Sequence, residues 1–338
     1  MQNIESVYHD LLQPSEALLA DMNSLDGDII ILGAGGKMGP DLARLAQRSV
    51  IKSGITKKII AVARFSEPGL KDELTQLGIE TIKTDLLNDD QLQLLPDVKN
   101  VLYLAGNKFG TTGNEPFTWA MNTYLPARVA EKYKHSRIVA FSTGNIYPMA
   151  PVTSGGLSEE YPTSPNGEYA QSCLGRERMF QYFSSQHNTP VLLYRLNYAN
   201  DVSYGVLLEI AKSVKNDEPV DLTMGNVNVI WQGDANEMAL RCLHHCSTPP
   251  KILNIAGPET ASVRWLAQEF GKLFGKTPQF TGEEQLTAYL SNAAESYRLF
   301  GYPRVTLKQM IQIIADWLIS GGKTINKPTH FQERKGKY

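Results

Sequence analysis

The stretch DIIILGAGGKMG, residues 28–39, joins a short apolar run to a glycine-rich turn and decides the fold. Its three glycines recur at three-residue spacing between a predicted first strand and a predicted first helix. Glycines placed in this way permit a tight turn and let backbone amides at the helix N-terminus approach a diphosphate. The turn therefore predicts a dinucleotide site, and the alternative is a glycine-rich turn without a ligand. The predicted contacts are Gly33, Gly36, Lys37, Met38 and Gly39.

Further apolar runs follow this stretch, separated by segments long enough for a helix. Near-continuous apolar strands are typical of a parallel sheet that is covered on both faces. The intervening segments have the length that right-handed crossovers need. The chain is therefore predicted to be an α/β protein with a doubly wound, Rossmann-type parallel sheet. The predicted strands are DIIIL 28–32, KIIAVA 58–63, NVLYLA 100–105, RIVAFS 137–142, PVLLYR 190–195 and KILNIAG 251–257.

The alternation of strands and helices becomes less regular after about residue 197. Helices are predicted there at 203–216, at 234–247 and from Thr260 or Ser262. We interpret this half as a smaller helical C-terminal lobe that is interleaved with the last strands of the sheet. The final stretch INKPTHFQERKGKY is polar and basic, and we expect a loosely ordered tail rather than a binding arm. The predicted parts are an N-terminal extension 1–26, a dinucleotide-binding domain 27–197, a substrate lobe 198–322 and a polar tail 323–338.

Composition excludes several classes of partner. The net charge of −2 gives no reason to expect a nucleic-acid or membrane partner, and no apolar run approaches the ~18 residues of a membrane span. Three cysteines are too few for a disulfide framework and favour the reducing cytoplasm. Cys242 and Cys246 lie one helical turn apart in RCLHHC, where buried thiols are favoured over a metal site. No metal is expected.

The second predicted strand ends in AVARFS, which bears on the choice of cofactor. An acidic residue here would bind the adenosine 2′-hydroxyl of NAD, whereas Arg64 offers a cation for a 2′-phosphate. NADP is therefore preferred over NAD, and a solvated arginine at a strand end is the alternative. Asp85 and Leu86, after the third strand, are candidates to bracket the adenine ring. A helix-capping aspartate is the competing interpretation.

Several motifs in this order resemble the extended short-chain dehydrogenase/reductase superfamily, in particular its NAD(P)-dependent epimerase/dehydratase family. The resemblance covers about residues 28–320 and implies a nicotinamide cofactor and a small-molecule substrate. It is carried by GAGGKMG, TDL 84–86, YLAG 103–106, MNTYLPARVAE from residue 121, FSTGNIYP 141–148, VIWQGDANEMALRCL from 229 and ILNIAGPETASVRWLAQEFGKLFG from 252.

The resemblance implies roles for individual residues. The family's S-[ST]-x-x-V-Y pattern falls on STGNIY, which makes Thr143 the hydroxyl that binds the reacting oxygen of the substrate. Tyr169 matches the general acid/base of Tyr-x-x-x-Lys, and Ser172 precedes the lysine position. Asn122 matches the helix asparagine associated with a proton-relay water. Leu104, Ala105 and Gly106 of YLAG are implied to contact the cofactor.

The chain departs from the family at position 173, where the lysine is a cysteine. In the family that lysine binds the nicotinamide ribose and favours the tyrosinate. Cys173 carries no positive charge, and a tyrosine with a pKa of about 10 is roughly 0.1% ionised at pH 7. Arg176 and Arg178 are the neighbouring cations in sequence, and their orientation decides whether they activate the thiol.

Three interpretations of Cys173 stay open. Another cation replaces the lysine, for which Lys108 just past YLAGN is the candidate, and Lys108→Met should then abolish turnover. Alternatively, the reaction asks less of the tyrosine, and Thr143 with the nicotinamide supplies most of the effect. In the third, the protein binds a dinucleotide without turning it over, as a sensor or scaffold. We favour an enzyme because Thr143, Tyr169 and Asn122 are all present.

The substrate is specified as a carbonyl or hydroxyl compound, with a sugar derivative as one form. In YRLNYANDVSYG, Arg195 fits the family pattern for nucleotide sugars, whereas Asn197 arrives one residue early and no Gly-Pro follows. The family often dimerises through helices that correspond to 115–134 and 167–187, so a homodimer is possible. The candidate pocket residues are Asn197, Tyr198, Asn200 and Trp231.

Overall fold

A computed structural model of the chain describes residues 4–338 and is built around one parallel sheet of seven strands. The predicted doubly wound, Rossmann-type fold class is confirmed. Six predicted strands recur within two residues of their expected ends. The strands are β1 Ile29–Leu32, β2 Ile59–Ala63, β3 Glu80–Lys83, β4 Asn100–Tyr103, β5 Arg137–Thr143, β6 Val191–Leu196 and β7 Lys251–Ile255.

The order across the sheet is β3-β2-β1-β4-β5-β6-β7, and all neighbours run parallel. The order reverses between β1 and β4, where Leu32 pairs with Tyr103. The carboxyl ends of these two strands therefore coincide, and the chain leaves them in opposite directions. Such a switch point opens a crevice at the strand ends, which is where ligands bind in open α/β sheets.

Helices cover both faces of the sheet and build the C-terminal lobe. A π-helical turn at Ala120–Tyr124 and short 3₁₀ turns at Gly144–Ile146 and Cys242–His245 interrupt or extend them. The α-helices are α1 Ile4–Leu11, α2 Glu16–Ser24, α3 Gly39–Ser53, α4 Leu70–Gln76, α5 Asp89–Gln93, α6 Glu115–Trp119, α7 Leu125–Lys132, α8 Gly167–His187, α9 Val206–Lys215, α10 Gln232–Arg241, α11 Val263–Phe274, α12 Ala294–Phe300 and α13 Leu307–Ile319.

The apolar strands are buried on both sides. Ile29 and Ile31 of β1 belong to the core that α2, α3 and α10 cover, and Ile30 and Leu32 belong to the core under α5, α7 and α8. Each of these four side chains is fully buried. Because burial of one such side chain is worth about 1.5–3 kcal/mol, the unbroken apolar run specifies a central strand.

The lobe has a separate core in which α9, α11 and α13 pack together. Ser262 accepts a hydrogen bond from the Trp265 backbone nitrogen at 3.3 Å, so Ser262 rather than Thr260 is the N-cap of α11. The run NVNVIWQ, residues 226–232, contains two short strands, Asn226–Val227 and Ile230–Trp231. The lobe packs over the carboxyl ends of β5 and β6 and forms one wall of the crevice.

The N-terminal extension joins the sheet to the lobe. The rings of Tyr8 and Trp231 meet edge to face with centroids 6.2 Å apart, and the Ser15 hydroxyl donates to Glu237 Oε1 at 2.5 Å. Leu18 and Met22 are buried against α3 and α10. Residues 1–3 of the predicted extension lie outside the described residues. The extension is thus part of the packed structure.

The expectation of a loosely ordered tail is wrong, because several polar groups of the tail form hydrogen bonds with the lobe. The backbone nitrogen and hydroxyl of Thr329 donate to Glu209 Oε2 at 2.7 and 2.6 Å. Arg334 donates to the carbonyl and hydroxyl of Thr287 at 2.7 and 2.6 Å. Phe331 is buried in the lobe core. The tail therefore runs along the crevice and is held there by these contacts.

The thiols of RCLHHC pack as side chains of the core. Cys242 is buried, and the half-buried Cys246 donates to the Ile138 carbonyl at 3.5 Å. Within residues 4–338, no group of three or more His, Cys, Asp and Glu side chains is arranged to hold a metal ion. None of the helices in this range is both long enough and apolar enough to cross a membrane.

Candidate active site

The glycine turn after β1 fits a dinucleotide. Gly33 has φ +94°, and a Cβ there would lie 2.6 Å from the Ala105 nitrogen, so position 33 tolerates no side chain between β1 and β4. At Gly39 a Cβ would lie 2.5 Å from the Ala34 carbonyl oxygen, which keeps α3 close to β1. Gly36 is exposed in the crevice, where its lack of a side chain leaves room for a diphosphate at the N-terminus of α3.

A cavity of about 190 Å³ lies beside this turn, above β2 and β3. Arg64 is exposed at its rim, and Asp85 accepts a hydrogen bond from the Leu87 nitrogen at 3.1 Å. The pocket therefore has the position expected for the adenosine half of a dinucleotide. Of the predicted cofactor contacts, it brings together Gly33, Gly36, Arg64, Asp85, Leu86, Leu104, Ala105 and Gly106.

A larger cavity of about 510 Å³ continues from the turn toward the lobe. Its charged lining residues are the lysines 37, 108 and 327, and no carboxylate lines it among the described residues. The sequence-predicted residues in its wall are Gly33, Gly36, Lys37, Met38, Gly39, Leu104, Gly106, Lys108, Thr143, Tyr169, Asn197 and Tyr198. The two cavities together bring the predicted cofactor contacts into one cleft with Thr143, Tyr169 and Lys108, whereas the other two predicted catalytic residues, Asn122 and Cys173, line neither cavity.

Thr143 and Tyr169 meet at the wall of the larger cavity. Thr143 is the last residue of β5, and its hydroxyl accepts a hydrogen bond from the Asn145 nitrogen at 3.2 Å. Tyr169 lies in the first turn of α8. Burial raises the pKa of Tyr169 far above its ordinary value and nearby Cys173 raises it further, whereas Arg176 and a hydrogen bond with Thr143 lower it. The pair can therefore polarise one substrate oxygen.

Cys173 lies one turn beyond Tyr169 and is fully buried. Burial raises the pKa of its thiol, against the lowering effects of Arg176 and of a hydrogen bond with Tyr169. The thiol is consequently neutral near pH 7 and does not meet the requirement of a nucleophilic thiolate. Cys173 is a packing residue at the place where the family pattern has a charge.

Asn122 lies in the π-helical turn before α7 and is fully engaged by the protein. Its amide nitrogen donates to the Asn107 carbonyl at 2.8 Å and to the Ser172 hydroxyl at 3.0 Å. Its oxygen accepts from the Asn107 nitrogen and from Arg176, both at 2.8 Å. All four hydrogen-bonding positions are thus used, and Asn122 fixes the loop after β4 to α8 instead of facing the cavity.

Arg176 is the residue that sequence reasoning left undecided. It is buried, and its guanidinium donates to the Phe141 carbonyl at 2.7 Å as well as to Asn122. Arg178, by contrast, is exposed and donates to Gln181 at 2.8 Å. Helical spacing carries the signal: residue 176 is seven positions after Tyr169 and shares its face of α8, whereas residue 178 does not.

Lys108 and Lys37 project toward the same ring. The Lys108 amine lies 5.5 Å from the centroid of Phe109 and 5.7 Å from that of Tyr169, and the Lys37 amine lies 4.4 Å from Phe109. Burial lowers the pKa of Lys108 to about 8, against the opposing effects of Cys173 and Glu209. Burial also lowers the pKa of Lys37 to about 7, helped by Lys108 and Lys327. Among the residues that the structure describes, neither amine forms an ion pair, and burial disfavours the charged form of both.

The predicted substrate residues divide into two groups. Tyr198 and Asn197 line the cavity, and Asn197 donates to Asn228 Oδ1 at 2.7 Å. Asn200 is buried behind the wall, where its oxygen accepts from the Leu207 nitrogen at the start of α9. Trp231 is fully buried against Tyr8 and does not line the cavity. Local sequence does not tell which face of these short strands the lobe covers.

Arg195 is a structural residue of the site's frame. Its guanidinium donates to both carboxylate oxygens of Glu177 on α8, at 3.0 and 2.7 Å. Ser142 on β5 donates to the same carboxylate at 2.6 Å, and Arg195 also donates to the Tyr147 hydroxyl at 2.5 Å. This buried network joins β5, β6 and α8, the elements that carry Thr143 and Tyr169.

The tail reaches the catalytic pair through Tyr338. Its hydroxyl accepts a hydrogen bond from Asn145 Nδ2 at 2.5 Å, and its ring meets Tyr169 edge to face with centroids 5.3 Å apart. Its carbonyl accepts from the Thr111 hydroxyl at 2.7 Å. Tyr338 therefore packs directly beside Tyr169 and Asn145. No sequence pattern predicts this contact, because a polar tail has no hydrophobic periodicity.

The strand order and the glycine turn define a dinucleotide-binding Rossmann protein. The chain belongs to the NAD dependent epimerase/dehydratase family, whose model matches residues 29–255. No curated protein matches the chain.

Solved structures share the fold at low sequence identity. A UDP-glucuronic acid 4-epimerase mutant from Bacillus cereus, in complex with a fluorinated UDP-glucuronic acid and NAD, is 20% identical. It superposes with a TM-score of 0.71, over 87% of this chain and 99% of that one. A dTDP-glucose 4,6-dehydratase from Bacillus anthracis in complex with NAD is 19% identical, with a TM-score of 0.72 over 87% and 96% of the two chains.

A third solved structure with this fold is that of UDP-glucose 4-epimerase from Thermotoga maritima with UDP-glucose. It is 14% identical and has a TM-score of 0.71 over 87% of this chain and 99% of that one. At these identities the likeness concerns the fold. Together with the family membership, it supports a nicotinamide dinucleotide as the cofactor.

Proposed function

We propose that the protein is an NAD(P)-dependent oxidoreductase of the epimerase/dehydratase kind, acting on a carbonyl or hydroxyl group of a small molecule. The observation that carries the proposal is that Tyr169 and Thr143 line the same cavity, which begins at the glycine turn. Solved neighbours bind UDP-sugars, which supports a sugar derivative, and sugar nucleotides are the first compounds to test.

The protein's own residues would handle the proton and the orientation. Thr143 would hold the reacting oxygen, and Tyr169 would take its proton during oxidation of a hydroxyl or return one during reduction of a carbonyl. When bound, the nicotinamide ring would accept the hydride from the carbinol carbon or deliver it to the carbonyl carbon. The backbone at Gly36 and the residues around Leu104 and Gly106 would hold the dinucleotide in place.

The test is direct binding followed by turnover. Purified protein is mixed with NADH and with NADPH, nucleotide fluorescence is followed, and oxidation is measured across carbonyl compounds that include sugar nucleotides. Gly36→Val is the matched control, because a Cβ at Gly36 lies 3.4 Å from the Gly33 oxygen and fits the fold, while the larger side chain fills the crevice. Failure of the wild type to bind any nicotinamide nucleotide would overturn the proposal.

A second function, dinucleotide binding without turnover, is favoured by Cys173 and by the raised pKa of Tyr169. A sensor or scaffold of this kind would bind the nucleotide in the fluorescence measurement. It would leave NADH and NADPH unoxidised with every carbonyl compound, and it would also leave NAD and NADP unreduced with the matching alcohols. The two functions are therefore separated by the same set of measurements.

Of the two nicotinamide dinucleotides, NAD and NADP, we propose that the protein uses NADP. Arg64 lies at the rim of the smaller cavity beside Asp85 and Leu86, where a 2′-phosphate would meet its guanidinium. We expect Arg64→Ala to weaken NADPH binding about tenfold, since a hydrogen bond to a charged group is worth about 1.5–3 kcal/mol, and to leave NADH binding unchanged. Calorimetry with both nucleotides measures this. Equal losses for both would show that Arg64 does not read the phosphate.

We propose a homodimer in the reducing cytoplasm. α6, the π-helical turn before α7, and α8 carry exposed large side chains on their outer surfaces, which supports a helical interface there. Sedimentation of the purified protein should give twice the mass of the chain, and Tyr124→Glu should halve it. A monomeric wild type would exclude this arrangement. The exposed side chains are Phe117, Trp119, Tyr124 and Tyr182.

A further inference from the structure

The positive charge that the family places at position 173 has a counterpart on the same helix. Tyr169, Cys173 and Arg176 occupy positions i, i+4 and i+7 of α8, so the three side chains share one helix face. The small Cys173 side chain separates the other two. A cation that starts one turn further along the helix can therefore extend toward the space that a lysine at 173 would have used.

Arg176 lies directly under the floor of the cleft. A Cβ added to Gly106 would overlap the Arg176 Nη2 atom and lie 3.0 Å from Asn122 Oδ1. Gly106 itself lines both cavities. The backbone of one glycine thus separates the guanidinium from the two cavities.

Arg176 is buried, and among residues 4–338 its guanidinium forms no ion pair. Its bonds go to the neutral Phe141 carbonyl and the neutral Asn122 amide, and its Nε has no hydrogen-bond partner within residues 4–338. The neighbouring Glu177 carboxylate is already paired with Arg195. A buried charge left unpaired costs several kcal/mol, so the site gains stability whenever an anion forms nearby.

We propose that Arg176 is the positioning residue whose fixed positive charge stabilises the ionised form of Tyr169, in place of the missing lysine. This rests on the proposed function, in which Tyr169 takes the proton. The charged and titratable groups that face the pair are Tyr103 from β4, Lys108 after β4, Cys173 and Glu177 on α8, and Tyr338 in the tail.

Arg176 suits this role better than Lys108. Burial works against the Arg176 charge, yet the nearby groups raise its pKa above the usual value, so the guanidinium stays charged at every working pH. The pKa of Lys108 is lowered to about 8, so its amine is partly neutral where the enzyme would operate. Arg176, and not Lys108, is among the main charges that lower the pKa of Tyr169. The proposal thus assigns Lys108 a smaller effect on Tyr169.

The test measures the ionisation of residue 169 itself and needs no substrate. A fluorinated tyrosine, whose phenol is more acidic, is incorporated at position 169 of the full chain, and its ¹⁹F shift is followed against pH. We expect Arg176→Gln to raise the pKa of this phenol by roughly one to two units, since an opposite charge nearby typically lowers a pKa by that much. Arg176→Lys should retain most of the lowering. Arg178→Met is the matched control and should change nothing.

The double variant Cys173→Lys, Arg176→Gln guards against a mere loss of structure. It returns a cation to the same helix face and should bring the phenol's pKa back toward the wild-type value. If Arg176→Gln fails to fold, Arg176→Lys with Lys108→Met still tests the proposal, because the pKa should stay low. An unchanged pKa in Arg176→Gln, or a rise of over one unit in Lys108→Met, would overturn the proposal.

Turnover is the second readout once a substrate is found. Arg176→Gln should move the rising limb of the pH–rate profile to higher pH, lower kcat about tenfold or more at pH 7, and leave nucleotide affinity nearly unchanged. A chain that binds no nucleotide but shows the ¹⁹F shift would refute the proposed function while supporting the charge assignment. A chain that turns over normally without Arg176 would support the proposed function while refuting the charge assignment.

Discussion

Tyr169→Phe is expected to reduce kcat by about 10²–10⁴-fold while nucleotide binding stays within twofold of wild type. The substitution removes one hydroxyl and keeps the ring that packs against Tyr338 and faces the Lys108 amine. Without the phenol, the proton of the substrate's oxygen has no acceptor at the cavity wall, and Thr143 has no partner in polarising that oxygen. Steady-state kinetics with fluorescence titration separates the two effects.

Tyr198→Phe provides the control for that loss. Tyr198 lines the same cavity, and its hydroxyl donates to the Phe331 carbonyl at a long 3.4 Å, away from Thr143. Removing this hydroxyl should change KM more than kcat, because it makes no contact with the catalytic pair. If both variants lowered kcat equally, or if Tyr169→Phe kept full activity, Tyr169 would not be the acid/base of the reaction.

The sequence was sufficient for the frame of the site because the frame is encoded locally. The apolar run before Gly33 can be satisfied only by a strand buried on both faces, and the glycine spacing fixes the turn that follows. Thr143 ends a strand of the same kind, so its place at the crevice follows from the sheet. These residues are close in space because the carboxyl ends of parallel strands share one edge.

The rest of the site depends on tertiary contacts that no local pattern reports. Trp231 and Asn200 sit on two-residue strands, too short for a period that shows which side is covered. Tyr338 lies beside Tyr169 because hydrogen bonds hold the polar tail in place. A polar tail has no hydrophobic periodicity from which this position could be predicted. Arg176 lies seven residues after Tyr169, a spacing that predicts a shared helix face. The sequence does not show, however, that the small Cys173 side chain leaves room for the Arg176 guanidinium.

Arg195→Met is expected to cost about 3–5 kcal/mol of unfolding free energy, the typical loss when one partner of a buried ion pair is removed. The change leaves the Glu177 carboxylate buried with the Ser142 hydroxyl as its remaining donor and deprives the Tyr147 hydroxyl of its bond from the guanidinium. The exposed pair of Arg264 with Glu284 offers the comparison, since Arg264→Met should cost less than about 1 kcal/mol. Denaturant unfolding measures both.

The replacement of both partners distinguishes lost pairing from lost packing. Arg195→Met combined with Glu177→Met removes the orphaned carboxylate, and it should recover a large part of the stability that the single variant loses. Activity should not recover with it, because the network ties α8 to β5 and β6 and so fixes the distance between Tyr169 and Thr143. Recovery of kcat in the double variant would mean that the sheet and helix hold this geometry without the ion pair.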